Sequence, residues 1–389
     1  MSVHDKKAKT DGPRKLLALD GGGIRGVMTL EVLDKIEREL QAQLNRNDDF
    51  VLADYFDYIA GTSTGAIIAT CLSLGMRVDA IRRFYIESGP AMFDKASLLK
   101  RYLQNKFQDT KLAAKLQEVI KDQAMRQNIG PKPGETEITL GTDALKTYLL
   151  LVLRNATTDS PWPISNNPDA KYNDCTRPDC NLNLPLWQLV RASTAAPTYF
   201  PPEVVSIGEH EFIFVDGGVT MYNNPAFQLF LMATVKPFNL GWPAGEDKML
   251  IVSLGTGSAA NANKDLTPEQ MNIVYNASSL PSAFMFAAAN EQDFLCRVFG
   301  KCLHGDQIDR EVWDMMGERG HGPVSPKLFT YMRYNAELSR EGLDALGLQH
   351  IEPRNVQQLD SVQYIPQIQE VGRAVAKQVN MDHFAGFLQ

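Results

Sequence analysis

Apolar and polar positions along the 389-residue chain change period repeatedly, and each change marks an element. Lys15-Leu16-Leu17-Ala18-Leu19 is a short apolar run of the kind that forms a buried strand. It enters Asp20-Gly21-Gly22-Gly23-Ile24-Arg25-Gly26. Val27, Leu30, Leu33, Ile36, Leu40 and Leu44 then recur at helical spacing, with charges between them. A second apolar run, Phe56 to Ala60, leads into Gly61-Thr62-Ser63-Thr64-Gly65 and passes at once into a small-residue apolar helix. Asp79 is placed to cap a helix that Gly89-Pro90 would end, and helical patterns cover 94–107 and 111–126. Residues 128–137 read as a loop and Tyr148 to Leu153 as a core strand.

The stretch from Asn155 to Asn183 is long, polar and rich in Pro, Asn and Asp; a lid, a binding loop and a disordered insertion all remain open. Pro185 to Ala192 predicts a helix, and Arg191-Ala192-Ser193-Thr194-Ala195-Ala196-Pro197 closes it. Glu211 to Val215 predicts a strand ending in Asp216-Gly217-Gly218. A helix starts at Asn224-Pro225 and runs to about Val235, and Met249 to Leu254 predicts a strand ending in Gly255-Thr256-Gly257. The last 130 residues are mostly helical in pattern, and there is no internal repeat. Strands alternating with helices, with chemically active loops at strand ends, imply an α/β layered fold whose site lies along one sheet edge.

Composition narrows the function. Apolar content of 44% and charged content of 22% are those of a globular protein. The net charge of −7 argues against nucleic acid as a partner. Without a run of 18 apolar residues there is no candidate membrane span, and Met1 to Pro13 reads as a polar, disordered leader, not a Sec signal. Five cysteines point to a reducing cytoplasm, with Cys175 and Cys180 weighed as a metal half-site. Residues 95–126 carry many lysines opposite Leu112, Leu116, Val119 and Ile120. That pattern fits either an interfacial helix or an ordinary surface helix.

Three stretches carry chemistry. Glycines at a strand-to-helix junction make an anion nest, because successive N–H groups are free of side chains and the helix dipole adds to them. The same loop matches the dinucleotide fingerprint at Gly21, Gly23 and Gly26, but Asp48 and Asp49 precede the next strand instead of ending it. Gly-x-Ser-x-Gly between strand and helix forces Ser63 onto a tight turn with its hydroxyl exposed, while Gly61 and Gly65 permit close backbone approach. Asp216 at a strand end before two glycines is placed to present a carboxylate. Nucleophile, base and N–H donors together are what acyl transfer needs. A Ser-Asp-His order is also available through His304, His321, His350 or His383, none in a recognisable site context.

Asp-Gly-Gly-Gly-Ile-Arg-Gly, Gly-Thr-Ser-Thr-Gly, Arg-Ala-Ser-Thr-Ala-Ala-Pro and Asp-Gly-Gly together resemble the signature blocks of the patatin-like phospholipases, over roughly residues 14–257. The resemblance implies a three-layer α/β/α sandwich with a central, mostly parallel sheet. It implies a Ser–Asp dyad without histidine, metal or cofactor: Ser63 as nucleophile and Asp216 as base. Gly21, Gly22 and Gly23, with Arg25 close by, would form the oxyanion hole. Phospholipid, lysophospholipid or another acyl lipid would be the substrate, with peripheral contact at the inner membrane surface. The resemblance leaves a second reading: an effector of cyclic-nucleotide antiphage signalling, silent until a small-molecule activator binds. The expected organisation is a leader over 1–13, a catalytic domain over 14–260 and a mostly helical extension over 261–389.

Overall fold

A computed structural model of the chain describes residues 6, 12–93, 110–132, 134–197, 199–258, 268, 273–309, 311–317 and 322–388. Most of the leader, the 94–107 helical pattern and His321 lie outside these residues. The strands are β1 (Arg14–Leu19), β2 (Tyr58–Thr62), β3 (Tyr148–Asn155), β4 (Ser160–Ser165), β5 (Glu203–Ile207), β6 (His210–Asp216), β7 (Met249–Leu254), β8 (Lys301–His304) and β9 (Thr330–Tyr334). They form one nine-stranded sheet in the order β5-β6-β3-β2-β1-β7-β9-β8, with β4 also paired to β3. From β3 through β2, β1, β7 and β9 to β8 all neighbours are parallel, and β4, β5 and β6 pair antiparallel at the other end.

Period-2 alternation sorts each central strand between two cores. Leu17, Leu19 and Ile59 face one core, and Leu16, Ala18, Tyr58 and Ala60 face the other. The main helices on the first face are α1 (Gly26–Gln43), α2 (Thr64–Ser73), α3 (Val78–Phe93), α4 (Thr110–Arg126), α5 (Leu186–Ser193) and, late in the chain, α8 (Ile365–Ala376). On the second face α6 (Ala226–Thr234) supplies Ala226, Leu229 and Phe230, and α7 (Ile273–Phe299) supplies Cys296. The protein is therefore a three-layer α/β/α sandwich. Its parallel strands, covered on both faces, read as the unbroken apolar runs seen in the sequence.

Several elements differ from the sequence expectation. The region after residue 260 adds two strands, β8 and β9, to the sheet as well as helices. Residues 155–183 begin with the hairpin strand β4, and Cys175 and Cys180 lie 5.0 Å apart at Cα and pair with each other as a disulfide. That pairing supersedes the metal half-site. Helix α3 continues past Gly89-Pro90 to Phe93, and Gly89 serves packing: a Cβ there would stand 2.7 Å from Ile24 Cδ1. Leu112, Leu116 and Ile120 of α4 are buried in the first core, so the apolar side of this helix is already occupied. No described helix is long and apolar enough to cross a membrane.

Candidate active site

The site lies where β1, β2 and β6 end. Ser63 sits between β2 and α2 with φ 54° and ψ −122°, a sparsely populated positive-φ conformation that costs a non-glycine residue about 1–3 kcal/mol. Its neighbours hold it there. The Ser63 N–H donates to Ser193 Oγ at 3.0 Å, and that hydroxyl donates to Val152 O at 2.6 Å. Thr62 Oγ1 donates to Tyr222 O at 2.7 Å, and the Tyr85 hydroxyl donates to Thr64 O at 2.9 Å. The elbow is so tight that a Cβ on Gly61 would meet Gly65 O at 2.1 Å, and one on Gly65 would meet Leu19 O at 2.3 Å.

Asp216 ends β6. Its N–H donates to Ala195 O at 3.0 Å, so the Arg-Ala-Ser-Thr-Ala-Ala-Pro turn supports both Ser63 and Asp216. The Ser63 hydroxyl donates to Asp216 Oδ2 at 2.6 Å, and the Gly218 N–H donates to Oδ1 at 2.7 Å. Burial pushes the Asp216 carboxyl up to about 6, against the opposing pull of Ser63, Gly218 and the Arg191 charge. Arg191 is fully buried, donates to Pro201 O at 3.3 Å and lies 5.1 Å over the Phe200 ring, an architectural placement.

The glycine loop runs beside the serine: a Cβ on Gly21 would come within 3.2 Å of Ser63 Cβ. Its three amides are not equivalent. Gly21 N–H donates to Asn223 O at 3.1 Å, whereas Gly22 and Gly23 have no amide acceptor among the described residues. Gly23 needs φ 60°, and Ile24 N–H donates to Leu359 O at 3.0 Å. Arg25 folds back toward Gly22 O, with Nε at 3.4 Å, and burial lowers its guanidinium to about 10. Asp48 and Asp49 are exposed in the turn before β2, away from the strand end where a ribose-binding acid belongs.

Residues after 250 complete the site's support, and sequence reasoning missed them. Arg333 on β9 donates from Nη2 to Asp20 Oδ2 at 2.6 Å and from Nη1 to Oδ1 at 3.2 Å, with both side chains buried. Burial works against the Arg333 cation, but Asp20, Tyr331 and Asp293 more than offset it, and its pKa lies above the ordinary arginine value. Asp293 in turn takes two bonds from Arg297, at 2.9 and 2.7 Å. The signal was present in Thr330-Tyr331-Met332-Arg333-Tyr334, where one arginine interrupts a β-branched and aromatic run. Of the candidate histidines, the described ones, His304, His350 and His383, are engaged elsewhere. His383 Nδ1 lies 2.8 Å from the Tyr334 hydroxyl, His304 Nε2 lies 3.3 Å from Gln378 Oε1, and His350 pairs with Glu370 at 3.1 Å. Among the described residues no histidine hydrogen-bonds Ser63 or Asp216.

Residues 17–230, which hold the glycine-rich loop, the elbow serine and the strand-end aspartate, match the patatin-like phospholipase model. The chain belongs to that family. Among curated proteins it is similar to Patatin-17 of Solanum cardiophyllum, 29% identical over 66% of this chain and 63% of that protein. It is also similar to Patatin-T5 of Solanum tuberosum, 26% identical over 75% of this chain and 77% of that protein. The match thus spans less than two thirds of Patatin-17. Among solved structures it is similar to VipD from Legionella pneumophila, at a TM-score of 0.38 and 15% identity, covering 95% of this chain and 66% of VipD.

Proposed function

We propose that the chain is a lipid acyl hydrolase that works through an acyl-enzyme on Ser63. The observation that carries this reading is the 2.6 Å hydrogen bond from the Ser63 hydroxyl to Asp216 Oδ2, on a strained elbow within a patatin-like domain. As Ser63 Oγ attacks the ester carbonyl, its proton passes to Asp216. The carbonyl oxygen becomes an oxyanion held by the N–H groups of Gly22 and Gly23. Asp216 then gives its proton to the departing alcohol, and the acyl group stays on Ser63. Water attacks the acyl-enzyme, Asp216 takes its proton, and the fatty acid leaves as Ser63 is reprotonated.

Gly21 serves this reading as the residue whose missing side chain lets the loop approach Ser63, since its amide is already engaged. Arg25 serves by holding the loop through Gly22 O. With a pKa near 6, Asp216 is ionised at neutral pH yet more basic than an ordinary aspartate, which suits it to act as the base. The substrates proposed are phospholipids and lysophospholipids, reached by peripheral contact with a membrane surface.

The test is fatty-acid release from mixed phospholipid vesicles with EDTA present. Wild type is expected to be active, with Ser63→Ala and Asp216→Asn both silent. Release that persists in either variant would overturn the dyad. An inactive wild type that also fails to react with a fluorophosphonate would overturn the hydrolase reading.

A further inference from the structure

We propose that Thr256 is a positioning residue that aims the Gly22 N–H into the oxyanion site, an inference that rests on the acyl-hydrolase reading above. Thr256 lies in the turn after β7, beyond the residues matched by the family model. Its hydroxyl donates to Gly21 O at 2.7 Å. Gly21 O and the Gly22 N–H belong to one planar trans peptide, in which carbonyl and N–H point in opposite directions. Holding the carbonyl on the Thr256 side therefore turns the N–H to the other side.

The glycine contacts place Ser63 on that other side. A Cβ on Gly21 would point to the side of Asn223 and Ser63, meeting Asn223 Oδ1 first and then Ser63 Cβ at 3.2 Å, whereas a Cβ on Gly22 would fall 2.1 Å from Thr256 Oγ1. The loop thus runs between the two side chains. The preceding peptide is held as well, because Gly21 N–H donates to Asn223 O at 3.1 Å. Without the threonine bond the Gly21–Gly22 peptide has little to stop it rotating, since glycines on both sides impose no Cβ restraint. An N–H donor that must be reoriented during reaction loses much of its worth, because preorganisation is what makes such donors effective.

Thr256 is itself rigidly mounted, with only 3% of its surface exposed. Gly255 N–H donates to Tyr334 O at 2.9 Å, and Gly255 O accepts from Thr29 Oγ1 at 2.8 Å. Gly257 N–H donates to Asn335 Oδ1 at 3.0 Å. The lock is therefore referenced to β9 and α1, not to a free loop.

Thr256→Val keeps the shape and removes the donor; Thr256→Ser keeps the donor and removes a methyl group. Both would be compared with wild type for kcat and KM in fatty-acid release, for fluorophosphonate reaction rate and for melting temperature. The expected result is a kcat lower by about 10–100-fold in Thr256→Val, KM within about twofold, and recovery to near wild type in Thr256→Ser. A threonine that served only folding would lower melting temperature without this split, and that outcome overturns the inference. An unchanged kcat in Thr256→Val overturns it too. Should Thr256→Val fail to fold, the serine variant decides, since a kcat lower by about tenfold or more with the hydroxyl retained would refute a hydrogen-bond lock. A wild type that neither releases fatty acid nor reacts with fluorophosphonate would instead remove the acyl-hydrolase reading, and this inference with it.

Discussion

Ser63 Oγ and Asp216 Oδ2 are 2.6 Å apart, and the other Asp216 oxygen is held at 2.7 Å by Gly218 N–H. One carboxylate oxygen is thereby fixed by backbone and, among the described residues, the other takes its hydrogen bond from the serine. Burial outweighs the opposing pull of Ser63, Gly218 and the Arg191 charge, which is why the Asp216 pKa stands near 6. In the proposed mechanism the base form is required for attack, so kcat/KM should follow one ionisation near 6. It should fall about tenfold per pH unit below that point. Initial rates of a soluble ester measured from pH 4.5 to 8.5 would check this. A flat profile across that window, or an essential group titrating near 7 that vanishes with a histidine, would contradict it.

The same shift has a stability consequence of opposite sense. Asp216 binds its proton more tightly in the folded chain than in the unfolded one. Its contribution to stability is therefore whole below 3.8 and is lost as pH rises through about 6. At pH 8 the ionised carboxylate is a burden on the fold. Asp216→Asn should consequently melt no lower than wild type at pH 8, while its fatty-acid release is lost. Thermal melts at pH 5 and pH 8 give the sign directly, because the variant's relative stability should improve with pH. A variant that melts well below wild type at pH 8 would mean that the ionised form is stabilised.

The Asp20–Arg333 pair is a buried ionic contact between the glycine loop and the later part of the chain. Truncating one partner leaves a buried charge behind. Arg333→Met should therefore destabilise by about 3–5 kcal/mol. Adding Asp20→Asn removes the orphaned charge, so the double variant should recover much of that loss. Urea titrations of the two single variants and the double variant form a cycle that reads the coupling. Additive losses in the cycle would show that the two groups do not depend on each other.

What could be read in the sequence follows from how each feature is encoded. Strands β1, β2, β3 and β7 are buried on both faces, so they appear as apolar runs that need no context. The elbow and the Asp216 turn are local, with glycines spaced by the close approaches that require them. The support of the site is not local. Arg333 stands 313 residues from its partner Asp20, and in sequence it only makes a strand look polar. Thr256 looks like turn filler until its hydroxyl is seen on Gly21 O. Strand β8 is four residues long and has no period to recognise. The resemblance-based oxyanion set treated Gly21, Gly22 and Gly23 alike, because only the fold reveals that Asn223 O takes the first amide.

The histidines separate a dyad from a triad by measurement. The Tyr334 hydroxyl and His383 Nδ1 lie 2.8 Å apart, and the His304 and His383 rings stack at 5.3 Å between centroids. Burial holds both imidazoles below their ordinary pKa, so at neutral pH His383 is neutral and Nδ1 can accept a hydrogen bond from the Tyr334 hydroxyl. These rings therefore serve the packing of β8 and β9 against the C-terminal turn. His383→Ala leaves the buried Tyr334 hydroxyl without that acceptor and should cost about 1–3 kcal/mol of stability. Activity per folded molecule should nevertheless stay within about twofold of wild type, because in the proposed dyad no proton of the reaction passes through these rings. The same should hold for His304→Ala, His321→Ala and His350→Ala. Burst titration with a fluorophosphonate counts folded sites, and turnover divided by that count is the number to compare. A loss of two orders of magnitude in any one variant, with normal site counts, would place that histidine in the reaction and make the enzyme a triad.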